Sequence, residues 1–465
     1  MTVLSARFLP LLLLPVLAGC TLPAGEAPPV PPLAEQWRNP ATATTELDRR
    51  WWQSFGSPEL DTLIEQALSG APDLRMAAER IAQAEARLAA SGASLFPGFS
   101  ISGDSSRGWS DPGINERSSL GFSLSYELDL WGKNRAGRLA ADAGLRGSRY
   151  DFESARLSLT SSVATSWFQW LTNRERLRIG EANLRLAEDT LAIVEAKYRH
   201  GASALSEVHR QRSTVLSQQA GLAPLREQAS QARSALAVLL GESPQQFELA
   251  DAGLMQLQLP EVSAGLPAEL LSRRPDLSSA EAALLAADAD LAAARAALLP
   301  SISLTGSGGL ASAALLSLAD PGRSLSLGAS LGQVLFDGGQ RQAQVQLTEA
   351  RRRELAEHYR QAALTALKEV EDALGNQALY REQESRQQAI VTEARETLRL
   401  TELRYREGAE ELLALIDAQR TLFSAEDQLV SLRQSRLDAA LGLFKALGGG
   451  WHAGAAGPSA DSLRL

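Results

Sequence analysis

The 465 residues carry a formal net charge of -9, and only 5% of them are aromatic. A nucleic-acid-binding surface needs basic groups to meet phosphates and rings to stack on bases, so this composition argues against nucleic acid as a partner. The one cysteine, Cys20, excludes an intramolecular disulfide and a cysteine-based metal cluster within one subunit. The four histidines show no metal-ligand spacing, and no phosphate loop or nucleophile motif is present, so we expect neither a metal nor an enzymatic activity.

The first twenty residues resemble a secretory signal of the bacterial lipoprotein type. Arg7 precedes an apolar run at residues 8–17 that is too short to span a bilayer, and the tetrapeptide LAGC ends at Cys20. LAGC resembles the lipobox, in which the cysteine becomes the first mature residue and its sulfur receives a diacylglycerol. We therefore expect a signal peptide at residues 1–19 and a covalent diacylglycerol and N-acyl chain, such as palmitate, on Cys20, with no other cofactor. An ordinary signal peptide that ends in a cysteine is the alternative.

The remainder of the chain contains a long internal repeat. The tripeptide Pro72-Asp73-Leu74 recurs at Pro275 with an offset of 203 residues, and residues 198–202 recur at residues 405–409 with an offset of 207. Ordered matches over such a distance indicate a duplication. The domains that we predict are a signal peptide (1–19), a lipid-anchored Pro-rich segment (20–50), a first repeat (51–240), an equatorial linker (241–274), a second repeat (275–447) and a C-terminal tail (448–465).

Each repeat begins with an Ala-rich helix, at residues 72–95 and 275–299, and then changes to a period of two. Apolar residues from Leu120 to Leu130 alternate with polar ones, and three shorter segments show the same alternation. Four strands of this kind per chain are typical of a transmembrane β-barrel, and Trp109, Tyr126 and Trp131 near their ends resemble an interfacial girdle. A soluble sheet with one buried face is the alternative.

Four strands do not close a barrel. A strand edge in lipid leaves its backbone groups unpaired, and a barrel needs at least about eight strands. If the strands cross a membrane, the subunit must therefore form an oligomer, with eight strands in a dimer and twelve in a trimer.

Long helices follow the strands in both repeats, at residues 134–224 and 340–447. Toward their far ends the apolar spacing is 3, 4, 3, 4, as in a coiled-coil seam, and both seams end at a tyrosine, Tyr198 or Tyr405. Gly201 and Gly408 then look like helix C-caps at the tips of two hairpins. Charged residues on every turn exclude these helices from lipid, so we expect them to project into water.

These features resemble the TolC-like outer-membrane factors, specifically the lipoprotein branch that is similar to OprM and NodT. The resemblance spans essentially the whole mature chain. It rests on the segments Trp51-Trp52 with Phe55 and Leu60, Arg273-Arg274-Pro275-Asp276-Leu277, residues 299–306, residues 415–420 and residues 446–451.

The resemblance implies an α+β membrane protein: a homotrimer with a twelve-stranded outer-membrane β-barrel, four strands per chain, continuous with a periplasmic α-helical barrel of long coiled-coil helices. It implies a lipid-anchored outer-membrane location extending into the periplasm. The implied function is a passive exit duct for small molecules in a tripartite efflux system. The implied partners are a periplasmic adaptor and an inner-membrane pump of the resistance-nodulation-division type. A duct for type I protein secretion and a lipid-anchored periplasmic coiled-coil scaffold are the alternatives.

The family's narrowest point lies at the helical tips, and the resemblance assigns a periplasmic gate to Leu413 and Asp417. Three copies of Asp417 would form a carboxylate ring that favours cations, with Leu413 as an apolar constriction; a solvated helix acid is the alternative. Aligning the Gln-Arg pairs of the two copies places His209 opposite Asp417. We expect the tip residues Tyr198, Gly201, Tyr405 and Gly408 to tie the closed tips together or to contact the adaptor, and the tyrosines are also candidates for plain packing residues.

Overall fold

The structure, a computed structural model, describes residues 30–39, 47–111, 113–250 and 252–452. Cys20 and the predicted signal peptide lie outside these residues. The chain divides into two compact units: a strand unit built on Glu79–Arg149 and Ser279–Gln361, and a hairpin unit built on Pro31–Ala78, Tyr150–Ser278 and Ala362–Leu465. Each unit takes residues from both predicted repeats.

The described residues form eight α-helices and four strands, in an order that repeats once. The helices are α1 (Pro58–Gly70), α2 (Pro72–Ala93), α3 (Lys133–Arg199), α4 (Leu205–Leu240), α5 (Leu270–Arg273), α6 (Pro275–Ala296), α7 (Gln340–Arg406) and α8 (Leu412–Ala446). The strands are β1 (Gly98–Ser110), β2 (Gly113–Leu128), β3 (Ser301–Ser312) and β4 (Gly322–Gly332).

Two pairs of equivalent helices match in length. Helices α2 and α6 both have 22 residues and begin at a proline, which fits the first helical turn because an amide donor there has no partner. Helices α3 and α7 both have 67 residues, which corresponds to about 100 Å at ~1.5 Å per residue. The predicted duplication is therefore present in the helices as well as in the sequence. None of the helices in the described ranges has an apolar stretch long enough to cross a membrane.

The strand unit contains one antiparallel sheet with the strand order β1-β2-β3-β4. Since alternate side chains point to opposite faces, the register puts Phe99 opposite Leu124 and Gly306 opposite Leu327 on one face. Polar residues occupy the other face. Its side chains are mostly small and include Ser100, Ser102, Ser119, Ser123, Ser125, Ser303, Thr305, Ser307, Ser324, Ser326 and Ser330 with interspersed glycines, together with the charged Asp104, Arg117 and Glu127.

The apolar face of the sheet is exposed. Leu327 has 85% of its surface accessible, and Phe99, Ile101, Leu325 and Leu331 are similarly exposed. A soluble sheet with a buried face would cover these side chains with a second layer, and no described residue does so. The exposure therefore contradicts the soluble-sheet alternative and fits a lipid-facing surface.

The predicted aromatic residues lie near both ends of the strands. Trp109 is beside the β1–β2 turn and is 86% exposed. Tyr126 lies near the end of β2, and Trp131 follows that strand, where its Nε1 donates to the carbonyl of Pro300 at 2.6 Å. This placement agrees with the interfacial girdle expected from the sequence.

The hairpin unit is built around an aromatic core near the start of the repeats. The ring of Trp51 stacks on Phe444 with centroids 5.4 Å apart, and Phe55 lies 5.2 Å from Phe168. Arg274 joins three elements at the edge of this core. Its guanidinium binds Asp276 and Glu369 at 2.7 and 2.6 Å and donates to the carbonyl of Ala446 at 3.1 Å, which caps the C-terminal end of α8.

Polar contacts recur along the interface between α3 and α8. Gln434 donates to Gln169 at 2.6 Å, Arg176 pairs with Asp427 at 3.1 Å, and Gln419 donates to Thr190 at 2.9 Å. The three positions on α3, residues 169, 176 and 190, are separated by one and two heptads. The Gln419–Thr190 contact is buried and the other two are partly buried, and polar contacts at heptad spacing penalise shifted pairings, so they favour this register of the two helices.

Candidate functional site

Both hairpins of the hairpin unit end in the same backbone turn. Gly201 and Gly408 each have a φ of +76°, a left-handed conformation that glycine adopts without a Cβ penalty. Ala202 N donates to Lys197 O at 2.8 Å, and Ala409 N donates to Arg404 O at 2.8 Å. This is the Schellman pattern of a helix C-terminus, so the predicted C-caps are confirmed at both tips.

The two hairpins pack against each other just behind their tips. The buried cluster contains residues from all four helices, namely Val194, Val208, Leu398, Tyr405, Leu412, Leu415 and Ala418. In the second copy the predicted seam is largely buried, through Val391, Ala394, Leu398 and Tyr405, with Thr401 half-buried. The seam pattern therefore identified a true contact between helices.

The terminal tyrosines of the two seams have different environments. Tyr405 is 4% exposed, whereas Tyr198 is 43% exposed. The predicted equivalence of the two seams is wrong at Tyr198, since this side chain lies outside the cluster. Plain packing accounts for Tyr405 alone.

Lys197 of the first hairpin contacts Tyr405 of the second. Its Nζ lies 4.0 Å from the ring centroid of Tyr405 and donates to the carbonyl oxygen of Tyr405, at the C-terminal end of α7. The corresponding residue of the second copy, Arg404, pairs with Glu410 instead. Burial and the nearby carboxylate of Glu207 raise the pKa of the Tyr405 phenol, so the ring is neutral beneath the ammonium group.

Leu413 and Asp417 lie one helical turn apart on the same exposed face of α8. Leu413 is 49% exposed, and Asp417 forms no ion pair with another described residue. Their neighbours Leu412 and Leu415 point into the buried cluster instead. The two predicted gate residues thus share a surface that is free in the single chain, as a pore lining requires.

The structure changes which residue of the first copy corresponds to Asp417. Helices α4 and α8 begin at Leu205 and Leu412, and this offset of 207 equals that of the two tip glycines. The buried residues Val208 and Leu415 keep the same offset. Arg210 therefore occupies the position of Asp417, and the alignment with His209 is wrong by one residue because it relied on a Gln-Arg pair that is shifted along the helix.

Sequence reasoning missed Lys197 and Arg274 as determinants of this region. Arg274 was visible in a motif, but its partner Glu369 is 95 residues away in sequence. Lys197 directly precedes Tyr198, and the only available signal was the replacement of arginine by lysine relative to Arg404. The partner of neither residue can be identified from the sequence, because each contact joins segments that are far apart in the chain.

Comparison with known proteins agrees with this architecture. The profile of the family described as Outer membrane efflux protein matches residues 63–242 and 266–449, once for each repeat. The pyoverdine export outer membrane protein OpmQ of Pseudomonas putida is 40% identical over 457 residues, covering 94% of this chain and 96% of the relative. The probable efflux pump outer membrane protein TtgC of the same species is 32% identical and covers 94% of both chains.

A solved structure shows the same fold. The outer-membrane channel OprN superposes with a TM-score of 0.84 at 28% identity, covering 92% of this chain and 99% of that chain. The predicted family resemblance, the duplicated α+β fold of an outer-membrane channel with four strands per chain, and the role in efflux are confirmed by these matches. This chain therefore belongs to the outer membrane efflux protein family.

Proposed function

We propose that this chain is the lipid-anchored, trimeric exit duct of a tripartite efflux system, and that it carries out transport without chemistry. The observation that carries the proposal is the four-stranded sheet with one exposed apolar face and two free edge strands, β1 and β4. Free edges in lipid are costly, because each unpaired backbone group there has no water to bind. Three copies joined from β4 to β1 would supply twelve strands and remove every edge.

The polar face of the sheet supports a duct for varied small molecules. It is lined mainly by serine, threonine and glycine, and serines on adjacent strands bond each other, with Ser100 and Ser123 at 2.7 Å and Ser307 and Ser326 at 2.7 Å. Such a lining is hydrophilic and contains few charges, so it would not retain a particular solute. We propose that the choice of cargo lies with an inner-membrane pump of the resistance-nodulation-division type and its periplasmic adaptor.

The periplasmic end of the duct would be closed at the helical tips. Leu413 and Asp417 form one exposed stripe on α8, and in a trimer three such stripes would face one axis. Leucine side chains in a narrow ring exclude water, and carboxylates beside them favour cations. We therefore assign the gate to this pair.

The lipid anchor is a separate part of the proposal. Cys20 follows a signal-like apolar segment. In the first described segment after it, residues 30–39, Trp37 is buried and donates to the carbonyl of Gly265 at 3.0 Å. A diacylglycerol and an N-acyl chain on Cys20 would hold this end of the mature chain at the membrane, since two or more acyl chains give stable anchoring.

Purification from outer membranes followed by native mass spectrometry and planar-bilayer recording tests the duct. We expect a heat-resistant complex of three acylated chains that conducts ions through single channels. A monomer that is helical and soluble after delipidation would contradict the proposal and favour the scaffold alternative. A non-acylated trimer that still conducts would contradict only the anchor.

A further inference from the structure

The charged side chains on the polar face of the sheet have different surroundings. The carboxylate of Glu127 is neutralised by Lys133 at 3.1 Å. Arg117 is exposed, and its guanidinium forms no ion pair with a described residue. Along β2 the two positions are ten residues apart, or about 33 Å at ~3.3 Å per residue. Among the described strand residues, Arg117 is the one basic group on this face.

Arg117 lies near the end of the sheet that is farthest from the helices. Strand β1 follows α2 and β2 precedes α3, so the β1–β2 turn is at the opposite end, four residues from Arg117. Strand β3 ends at Ser312, the partner of Ser118, so the β1–β2 hairpin extends beyond β3 at Arg117. In the proposed duct this end, here called the mouth, opens to the outside, and the polar face lines the lumen.

On the opposite face of the same hairpin, the charges are satisfied within the chain. Arg107 donates from Nε to Glu116 at 2.7 Å, and the amide of Leu315 in the β3–β4 loop donates to Glu116 at 3.2 Å. Ser118 also donates to a carbonyl of this loop, at 2.7 Å. Since alternate side chains point to opposite faces, Arg117 points away from all of these contacts. The hairpin is held from its outer side, and its free cation faces the lumen.

Asp104 places the opposite charge one position deeper on the same face. The register puts Ser106 opposite Arg117 and Ser119 opposite Asp104, so the two charged side chains are diagonal neighbours. Such neighbours are roughly 7–8 Å apart, and no ion pair joins these two. Because Arg117 lies nearer the turn, the first charge behind the mouth is positive.

We infer that Arg117 makes the mouth of the duct an anion-attracting ring, to which a trimer contributes three guanidinium groups. The inference rests on the proposed function, because it requires the polar face to line a water-filled barrel of three chains. Fixed charges on the wall of a pore concentrate ions of opposite sign and repel ions of like sign, and salt screens the effect. The favoured solutes carry carboxylate or phosphate groups, whose oxygens match the guanidinium. This preference is independent of the carboxylates assigned to the gate.

A thiol at the cross-strand neighbour of Arg117 measures the local potential. Ser106→Cys is the reporter, and the protein without this change supplies the background from Cys20, the one native cysteine. The full-length protein in nanodiscs is treated with anionic sulfonatoethyl methanethiosulfonate or with cationic trimethylammonioethyl methanethiosulfonate. Both reagents react with the same thiolate, so the ratio of the two rates cancels any change in the pKa of the thiol.

Arg117→Ser in the reporter protein should lower the anionic-to-cationic rate ratio by roughly fivefold at about 0.01 M salt and by less than about twofold at about 1 M. Asp104→Asn should raise the ratio, because it removes a nearby negative charge. Arg323→Ser is the matched control and should leave the ratio unchanged. Arg323 is exposed and has no ion pair with a described residue, and its register with Leu310 puts it on the apolar face at the level of Leu120.

A fall with Arg117→Ser and a rise with Asp104→Asn support the inference. If Arg117→Ser forms no heat-resistant oligomer, the direction of the change in Asp104→Asn decides. An unchanged ratio in either variant, or an equal fall in Arg323→Ser, overturns the inference and leaves the duct intact. A reporter thiol that reacts with neither reagent in protein that conducts ions also overturns it, because Arg117 would not face water. Absence of conductance in the unmodified protein overturns the proposed duct and the ring together.

Discussion

Asp417 shows how far a motif alone determines the role of a residue. Sequence resemblance assigned it to the gate, and the structure adds that its side chain shares an exposed stripe with Leu413 while the adjacent positions are buried. The same comparison shows that the first copy has Arg210 at the equivalent position. In the proposed gate, the carboxylate that favours cations therefore belongs to the second copy alone.

If Asp417 lines the gate of a trimer as proposed, Asp417→Ala should lower the cation-over-anion permeability of the channel, because it removes three carboxylates from the gate ring. The reversal potential in a salt gradient across a planar bilayer measures this ratio. Asp189→Ala, which removes an exposed carboxylate from α3, should leave the potential unchanged. An unchanged potential in Asp417→Ala would assign Asp417 to the ordinary solvated surface.

Asp438 makes stability depend on pH. Burial raises its pKa to about 6, although a hydrogen bond from Gln434 acts to lower the pKa. The Oδ1 atom of Asp438 has no hydrogen-bond partner among the described residues. Since the folded pKa is above the value of about 3.9 in an unfolded chain, the ionised carboxylate destabilises the fold above pH 6, and the penalty disappears as the pH falls toward 4.

Asp438→Asn should therefore stabilise the protein at pH 7.5 by up to roughly 2 kcal/mol and have no effect near pH 4. Thermal unfolding followed by circular dichroism between pH 4 and pH 8 provides the comparison. Glu393→Gln, at an exposed position of α7, is the control and should follow the unmodified protein throughout. A difference between Asp438→Asn and the unmodified protein that is the same at every pH would exclude titration of Asp438 as the cause.

At the scale of elements, local patterns predicted the helices, strands and caps well, because each depends on neighbours in sequence. The period of two identified both faces of the sheet, and the glycines at 201 and 408 marked both C-caps. The pattern failed at Tyr198 because periodicity does not reveal which of two similar seams is covered by another helix. It also gave no information on Lys197, whose partner belongs to the other hairpin.

Gly201→Ala should destabilise the first tip by about 1–2 kcal/mol, since a Cβ is unfavourable at this positive φ although no other atom lies near it. Gly221→Ala on α4 is the matched control. A Cβ there also meets no neighbour, but the backbone is helical, so alanine should be neutral or stabilising by up to about 1 kcal/mol. Amide hydrogen exchange at the tip measures both effects, and equal protection in the two variants would show that the turn tolerates a Cβ.

At the scale of the whole molecule, the sheet needs strands from other copies of the chain. The sequence indicated this need only through the number of strands. Four strands with two free edges are incomplete in lipid, whichever residues they contain. The number of chains needed to complete the barrel follows from family resemblance and not from this count, because eight strands would also close.

Leu327 and Ser326 are adjacent on β4 and point to opposite faces, so they distinguish the lipid side from the channel side. Leu327→Asp should reduce insertion into the outer membrane sharply, with a cost on the order of 2 kcal/mol for each chain near the bilayer centre. Ser326→Asp adds the same charge and should leave insertion close to normal. Fractionation and quantification of heat-resistant oligomers measure the outcome, and equal behaviour of the two variants would contradict the assignment of faces.

The equal length of α3 and α7 has a consequence for how the duplicated halves can diverge. Between the short and the long helix of each copy, 39 residues separate Ala93 from Lys133 and 43 separate Ala296 from Gln340, so the four extra residues lie in the strands and their loops. One residue inserted into a long helix would rotate all later side chains by about 100° about the helix axis, which moves the seam away from its partner. Insertions and deletions are therefore tolerated in the strand region and not in the long helices, while single substitutions remain free to give each tip its own surface.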